Sequence, residues 1–222
     1  ELRGDLRNNY RTIKTKLLEN PDILAVSATN GSFTKRFATD KADWEGKAPE
    51  NKVIMAIHSV DYDYPKVFDL KMAEGRYFSR EFPTDATAGI IVNETAVRVM
   101  GMDKPLGKRF LCPIPYASGR EEWGTIVGVV KDFHFRSLHN EIEPLALAIA
   151  PGWFTDCYVR IRPANAPRTL AFIDKTFQET APGFPLEYTF LDETIGRLYR
   201  TEAQIGDLVR SATTLAVLIS CL

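Results

Sequence analysis

The groups best suited to chemistry crowd into one stretch, Gly124 to Pro144, which reads GTIVGVVKDFHFRSLHNEIEP. Asp132, His134 and His139 fall together there, and a carboxylate with two imidazoles could hold a metal or move a proton. The spacing argues against a metal. His134 and His139 lie five apart, whereas a helix puts ligands three or four apart on one face and a strand puts them two apart. His58 is distant in sequence. The His134 and His139 pair therefore reads as turn histidines with a satisfied ring nitrogen, and no metal site is expected.

A second stretch, Gly101-Met-Asp-Lys-Pro-Leu-Gly107-Lys108, approaches a phosphate-binding loop and misses it. Five residues separate the glycines instead of four, and Arg109 stands where Ser or Thr would hold magnesium. Pro105 removes an amide that a phosphate cradle would use. The expected helix also precedes this loop instead of following it. No nucleotide and no cofactor is expected. There is no GxSxG elbow. Asp61, Asp63, Asp69, Glu121, Glu122, Glu141 and Glu143 are spread over turns and read as solvated charges, so no catalytic residue is assigned. Phe133 and Phe135 could stack on bases. With 28 Lys and Arg against 29 Asp and Glu, however, no basic field surrounds them, and nucleic acid is not expected. They read more simply as packing one face of a strand end.

The positioning elements follow from periodicity. Leu6, Tyr10, Ile13 and Leu17 recur at helical steps, and Asn20-Pro21 ends that helix. Ile23 to Ala28 reads as a strand and Asn30-Gly31-Ser32 as a turn. Lys35 to Asn51 is polar and reads as a surface loop carrying Trp44. Val53 to Val60 is apolar on both alternations and reads as a central strand. From Tyr64 to Ile149, glycine-punctuated short strands predict mostly antiparallel β structure. One short helix interrupts them, capped by Asn93, with Glu94 at its positive end and Gly101 as its left-handed stop. Ile126, Val127, Val129 and Val130 form a strand buried on both faces. Tyr158 to Ile161 is a strand, and Pro167 opens a helix lined by Leu170, Ile173 and Phe177. Leu186, Tyr188 and Phe190 read as a half-buried strand, and Thr194 to Leu222 as one long helix.

The 222-residue chain is long enough to bury about 70% of its unfolded surface without a staple. Its cysteines, Cys112, Cys157 and Cys221, form no CxxC pair. Cys112 and Cys157 could pair in an oxidising compartment; two separate buried thiols is the preferred reading. The apolar end, Leu215 to Leu222, reads as the first turns of a bilayer span, which needs about 20 such residues. Both ends have α/β texture and the middle is β-rich, so the fold class is α+β, one subdomain built from both ends with another inserted.

Four segments in order resemble the extracytoplasmic (periplasmic core) domain of MacB/FtsX-type ABC transporter permeases. They are Gly75-Arg-Tyr-Phe78, Gly89-Ile-Ile-Val-Asn-Glu-Thr-Ala96, Pro105-Leu-Gly-Lys-Arg-Phe110 and the run from Gly128 to Pro144. The resemblance implies a porter-like α/β base from residues 1–63 and 150–200 and an inserted β-rich, sabre-like lobe at 64–149. Residues 201–222 would lead into a truncated membrane segment. It further implies a non-catalytic role, transmitting ATP-driven movement across the inner membrane for export or for lipoprotein and envelope processes. The domain would stand on the periplasmic side. The implied partners are a cytoplasmic ABC ATPase, a second permease copy and a periplasmic or outer-membrane protein. The alternative is a soluble hydrolase or ligand-binding domain with its site between the subdomains, near Asp132 and His134.

Overall fold

The N-terminal apolar stripe folds as two short helices, α1 (Asp5–Asn8) and α2 (Tyr10–Leu17), broken at Asn9 where one continuous helix was expected. The computed structural model describes residues 2, 5–31, 37–113, 123–135, 141–182, 186–194 and 196. Leu6, Tyr10, Ile13 and Leu17 all turn inward, as their spacing requires. Ile13 and Leu17 are fully buried, each contributing roughly 2 kcal/mol of apolar transfer energy. They pack beneath β1 (Ile23–Thr29), whose Val26 and Ala28 point into the same cluster.

Two short strands then appear where a surface loop was expected: β2 (Ala38–Thr39) and β3 (Asp43–Trp44). Trp44 is buried, and Ala42 between them is fully so. Next come β4 (Met55–Ser59), α3 (Tyr64–Phe68), β5 (Met72–Gly75), α4 (Asp85–Ala88), β6 (Gly89–Asn93) and α5 (Glu94–Met100). The chain continues through β7 (Arg109–Leu111), β8 (Trp123–Val130), β9 (Leu145–Ala148), β10 (Asp156–Ile161) and α6 (Ala166–Thr180). The helices α3 and α4 were not expected, because five and four residues are too few to display a period.

Strands β1 and β10 pair antiparallel as a small sheet. The larger sheet has eight strands in the order β2-β4-β9-β6-β8-β7-β3, with β5 added beside β8. Its pairing is mostly antiparallel, as expected, but two pairs are parallel: β4 with β9 and β6 with β8. The apolar runs already carried the reason. Strands covered on both faces are the ones that tolerate parallel neighbours joined by crossovers. Alternate residues of each serve different clusters. Met55, Ile57, Ile90, Val92, Ala146 and Ala148 enter one core, while Ala56, Val60, Ile91, Leu145 and Leu147 enter another. A register shift between Ile90 and Ile91 against β8 lets Ile126 and Val129, three apart, face the same core.

This sheet is curled, and chain geometry requires it. Its end strands β2 and β3 are separated by residues 40–42 alone. Consecutive Cα atoms are about 3.8 Å apart, so Thr39 and Asp43 lie within about 15 Å of each other. Laid flat, the ladder would put its end strands about 29 Å apart. The first core fills the inside of the curl, with Phe110, Trp44 and Met100 among it.

The small sheet is covered twice. On one side α2 and α6 pack with Ile173 and Phe177. On the other, α3 lies against it: the Phe68 ring meets Tyr158 edge-on at 5.0 Å and Arg160 donates to the Lys66 carbonyl. The strand expected from Leu186 to Phe190 does not form. Leu186 touches the base core, but Tyr188 and Phe190 stand exposed, ring against ring at 5.9 Å. Most of the long helix expected from Thr194, with Cys221 and the apolar end, lies outside the described residues.

Candidate functional site

The stretch that looked most reactive is built for architecture. Asp132 comes two residues after the end of β8, and its carboxylate reaches the first turn of α5. It accepts from the Thr95 N–H at 2.9 Å, the Thr95 hydroxyl at 2.8 Å and Arg98 at 2.9 Å. Glu94 returns the favour by accepting from the Asp132 N–H at 2.9 Å. Asn93 caps the same helix as expected, its Oδ1 accepting from the Ala96 N–H. That oxygen also accepts from Leu145 N–H at 2.9 Å, stitching β6 to the start of β9. His134 stands exposed and joins no cluster; His139 and Arg136 lie outside the described residues. Phe133 and Phe135 sit 5.6 Å apart beyond the strand, with Phe135 buried.

The other sequence candidates are also absorbed by the fold. Gly101 and Gly107 take left-handed conformations, φ 67° and 81°, as a helix stop and a turn. Arg76 of the Gly75–Phe78 turn grips the buried Asp85 with two hydrogen bonds, at 2.5 and 2.9 Å. Phe82 stacks under the same guanidinium. His58 of β4 is buried edge-on to Phe135 at 5.2 Å. Burial lowers its pKa to about 4, so it is neutral at pH 7. Cys112 lies in the large-sheet core and Cys157 packs against the base core. Burial, then the nearby Asp61 charge, pushes the Cys157 thiol up to about 12. Among the described residues, no group of three or more His, Cys, Asp and Glu could hold a metal ion.

One constellation remains, and it sits where the small sheet meets the large one. Among the described residues, the meeting point is an antiparallel bridge between Thr29 and Val60, flanked by Asn30 and Ser59. Asn30 N–H donates to the Ser59 carbonyl, and Ser59 N–H donates to Asn30 Oδ1 at 2.7 Å. Immediately beyond, Asp61 is buried with Lys14 against it. The Lys14 ammonium lies 2.6 Å from Asp61 and 2.6 Å from Asp63. Asp61 also accepts from the Tyr10 hydroxyl, from Ser27 at 2.8 Å and from the Asp63 N–H at 2.8 Å. Lys66 neutralises the second oxygen of Asp63 at 2.7 Å.

The electrostatics follow from this wiring. Burial would raise Asp63, but the hydrogen bonds from Lys14 and then Lys66 outweigh it and hold the carboxyl below its ordinary range. Tyr10 is pushed far upward, first by burial and then by the Asp61 charge, so its hydroxyl remains a donor. Two carboxylates and two ammoniums leave the cluster close to neutral. Such a cluster can fix the relation of two bodies; it offers no unpaired group to attack a substrate.

Sequence reasoning passed over this cluster by reading Asp61 and Asp63 as solvated. The signal was present in α2. Lys14 falls inside the apolar stripe of Tyr10, Ile13 and Leu17, and a lysine on a buried face needs a buried anion.

Comparison with known proteins decides what kind of domain this is. The family described as the MacB-like periplasmic core domain matches residues 4–171. The chain belongs to that family. As a MacB-like periplasmic core domain, it is the extracytoplasmic part of an ABC-type transporter permease. Its fold is similar to the periplasmic region of MacB from Actinobacillus actinomycetemcomitans. That likeness has a TM-score of 0.52 at 13% identity, covering 76% of this chain and 72% of that one. It is also similar to the extracellular domain of the noncanonic ABC-type transporter YknZ from Gram-positive bacteria. There the TM-score is 0.56 at 13% identity, over 78% and 84% of the two chains. No curated protein matches the sequence. All four sequence segments of the MacB-like resemblance lie within the matched range. Among the described residues, no helix is long and apolar enough to cross a membrane.

Proposed function

We propose that this domain is a non-catalytic transmission element of a permease held in the inner membrane. It would carry movement driven by a cytoplasmic ABC ATPase to the outer side, where a second permease copy and a periplasmic or outer-membrane partner respond. The base, built on the small sheet, would receive the movement from the membrane. The lobe, built on the large sheet and so taking in β2 to β4 ahead of the 64–149 span expected from sequence, would deliver it, and the chain from Thr194 onward would link base to bilayer. The observation that carries this reading is the buried Lys14–Asp61–Asp63 cluster at the crossing between base and lobe. A domain that transmits force needs a stiff, specific joint there, and a salt-bridged buried cluster supplies direction as well as strength. The expenditure of Asp132 on helix capping supports the non-catalytic part.

The test is made on the intact protein in its membrane. A cysteine at the exposed Ala73 should react with an impermeant maleimide added from outside, and an ABC ATPase should co-purify. Labelling from the cytoplasmic side only, or purification without any ATPase, would remove the proposal. Loss of ATP-driven cargo movement in a Lys14→Met permease that still reaches the membrane would tie the joint to the work.

A further inference from the structure

We infer that the joint is asymmetric: Asp61 is a fixed pivot, and the Lys14–Asp63 pair is a releasable stop that sets the resting tilt of lobe on base. The inference deepens the transmission reading and rests on it for its biological sense. Its geometry can be tested without any transport.

The asymmetry lies in how the two carboxylates are held. Asp61 is 6% exposed and its oxygens accept from Tyr10 and Lys14 on α2, from Ser27 on β1 and from the Asp63 N–H. Its backbone carbonyl meanwhile accepts from the Tyr77 hydroxyl, which belongs to the lobe, at 3.4 Å. Asp61 is thus the residue that base and lobe hold in common. Removing it from these donors would strand several buried polar groups at once.

Asp63 differs on each count. Its side chain is 24% exposed, so water can replace a lost partner. Lys66, itself 70% exposed, already binds its other oxygen and can follow it outward. Lys14 would keep Asp61 when it lets Asp63 go. Parting Lys14 from Asp63 therefore leaves no charge without a counter-ion, whereas parting Lys14 from Asp61 does. One contact of the ammonium is cheap to break and the other is not.

The segment carrying both aspartates is the bridge itself. It runs from the Thr29–Val60 contact to Asp69, which turns the chain away with φ 53°, the left-handed conformation that non-glycine residues seldom adopt. Between these points α3 lies on the small sheet. Release of Asp63 frees the start of α3 while the pivot stays in place, so the lobe gains a swing about Asp61 and no second route of separation.

The experiment uses the full chain with its native cysteines replaced by alanine and nitroxide labels at two exposed positions. These are Ala171 on α6 in the base and Ala73 on β5 in the lobe. Pulsed electron–electron resonance should give one narrow distance distribution for the parent. Asp63→Asn should widen it or add a second peak while lowering the melting temperature by no more than about 2 °C. Asp61→Asn should lower the melting temperature by more than about 5 °C. Should that variant fail to fold, Ser27→Ala, which removes one donor from Asp61, should still cost more than Asp63→Asn. An unchanged distribution in Asp63→Asn overturns the stop, and equal destabilisation by the two aspartate changes overturns the asymmetry. Either failure leaves the transmission reading to its own test in the membrane. A permease that transports normally with Lys14 replaced would sink that reading and leave the tilt measurement standing.

Discussion

Asp132 and Thr95, 37 residues apart in sequence, are joined twice: one carboxylate oxygen takes the threonine N–H and the other takes its hydroxyl. The residue that looked like a general base is a helix clasp. Asp132→Ala should therefore destabilise the domain by about 1–2 kcal/mol, the usual worth of a cap with a charged acceptor. His134→Ala, at an exposed position two residues on, should stay within about 0.5 kcal/mol. Urea unfolding of both variants checks the pair. Equal effects would mean that the clasp is not what holds this turn.

The buried joint predicts a loss that salt does not mask. Lys14→Met leaves Asp61 and Asp63 facing a side chain with no charge, at a cost of about 3 kcal/mol. Because Asp61 is buried, the parent's advantage should persist between low salt and about 0.5 M. A difference that fades with added salt would mark the pair as an exposed one.

His58 predicts an acid limb in the stability curve. Its ordinary pKa of 6.5 falls to about 4 when burial strips water from the ring. Between those values the unfolded chain binds the proton more readily than the folded one. The stabilisation is complete above pH 6.5, declines as pH falls towards 4, and amounts to about 3 kcal/mol. In His58→Leu this portion of the decline should disappear. Denaturant titrations at pH 7, 5.5 and 4.5 measure it, and parallel curves for parent and variant would count against the assignment.

Gly75 predicts a backbone effect. It sits at φ 68°, and a Cβ there would lie 2.5 Å from the Val127 carbonyl oxygen. Gly75→Ala should cost about 2–3 kcal/mol, from the conformation and the clash together. Gly101→Ala shares the left-handed conformation at φ 67° but meets nothing within 4 Å. Its cost should be only about 1 kcal/mol. Thermal melts of the two variants separate the contributions.

What the sequence made legible was local. The Asn93 cap, the Gly101 stop and the inward faces of α2 and α6 follow from spacing alone, because each depends on neighbours a few residues away. The doubly buried character of β8 was equally plain from Ile126 to Val130. The mostly antiparallel pairing was legible too, but the two parallel pairs were not, since β6 and β8 meet through contacts that no short window contains. The segment from Lys35 to Asn51 misled because its polar residues outnumber Trp44, although one buried indole outweighs several solvated side chains in deciding where a segment lies. The expected strand at Leu186 alternates correctly yet pairs with no strand among the described residues, and alternation alone forms no ladder. The joint was hidden for a different reason. Lys14 and Asp61 stand 47 residues apart, and they meet where the bridge from Thr29 of β1 to Val60 joins the two sheets.

The curl of the large sheet carries a mechanical implication. Strands at opposite ends of its ladder are bound to each other by a tie of three residues, Asp40 to Ala42. A hoop loaded at one rim shares the load around both arms, while an open ribbon bends at its weakest pair. The stiffness of the whole lobe thus depends on covalent continuity at that short tie. A single proteolytic nick there would soften strands that it never touches.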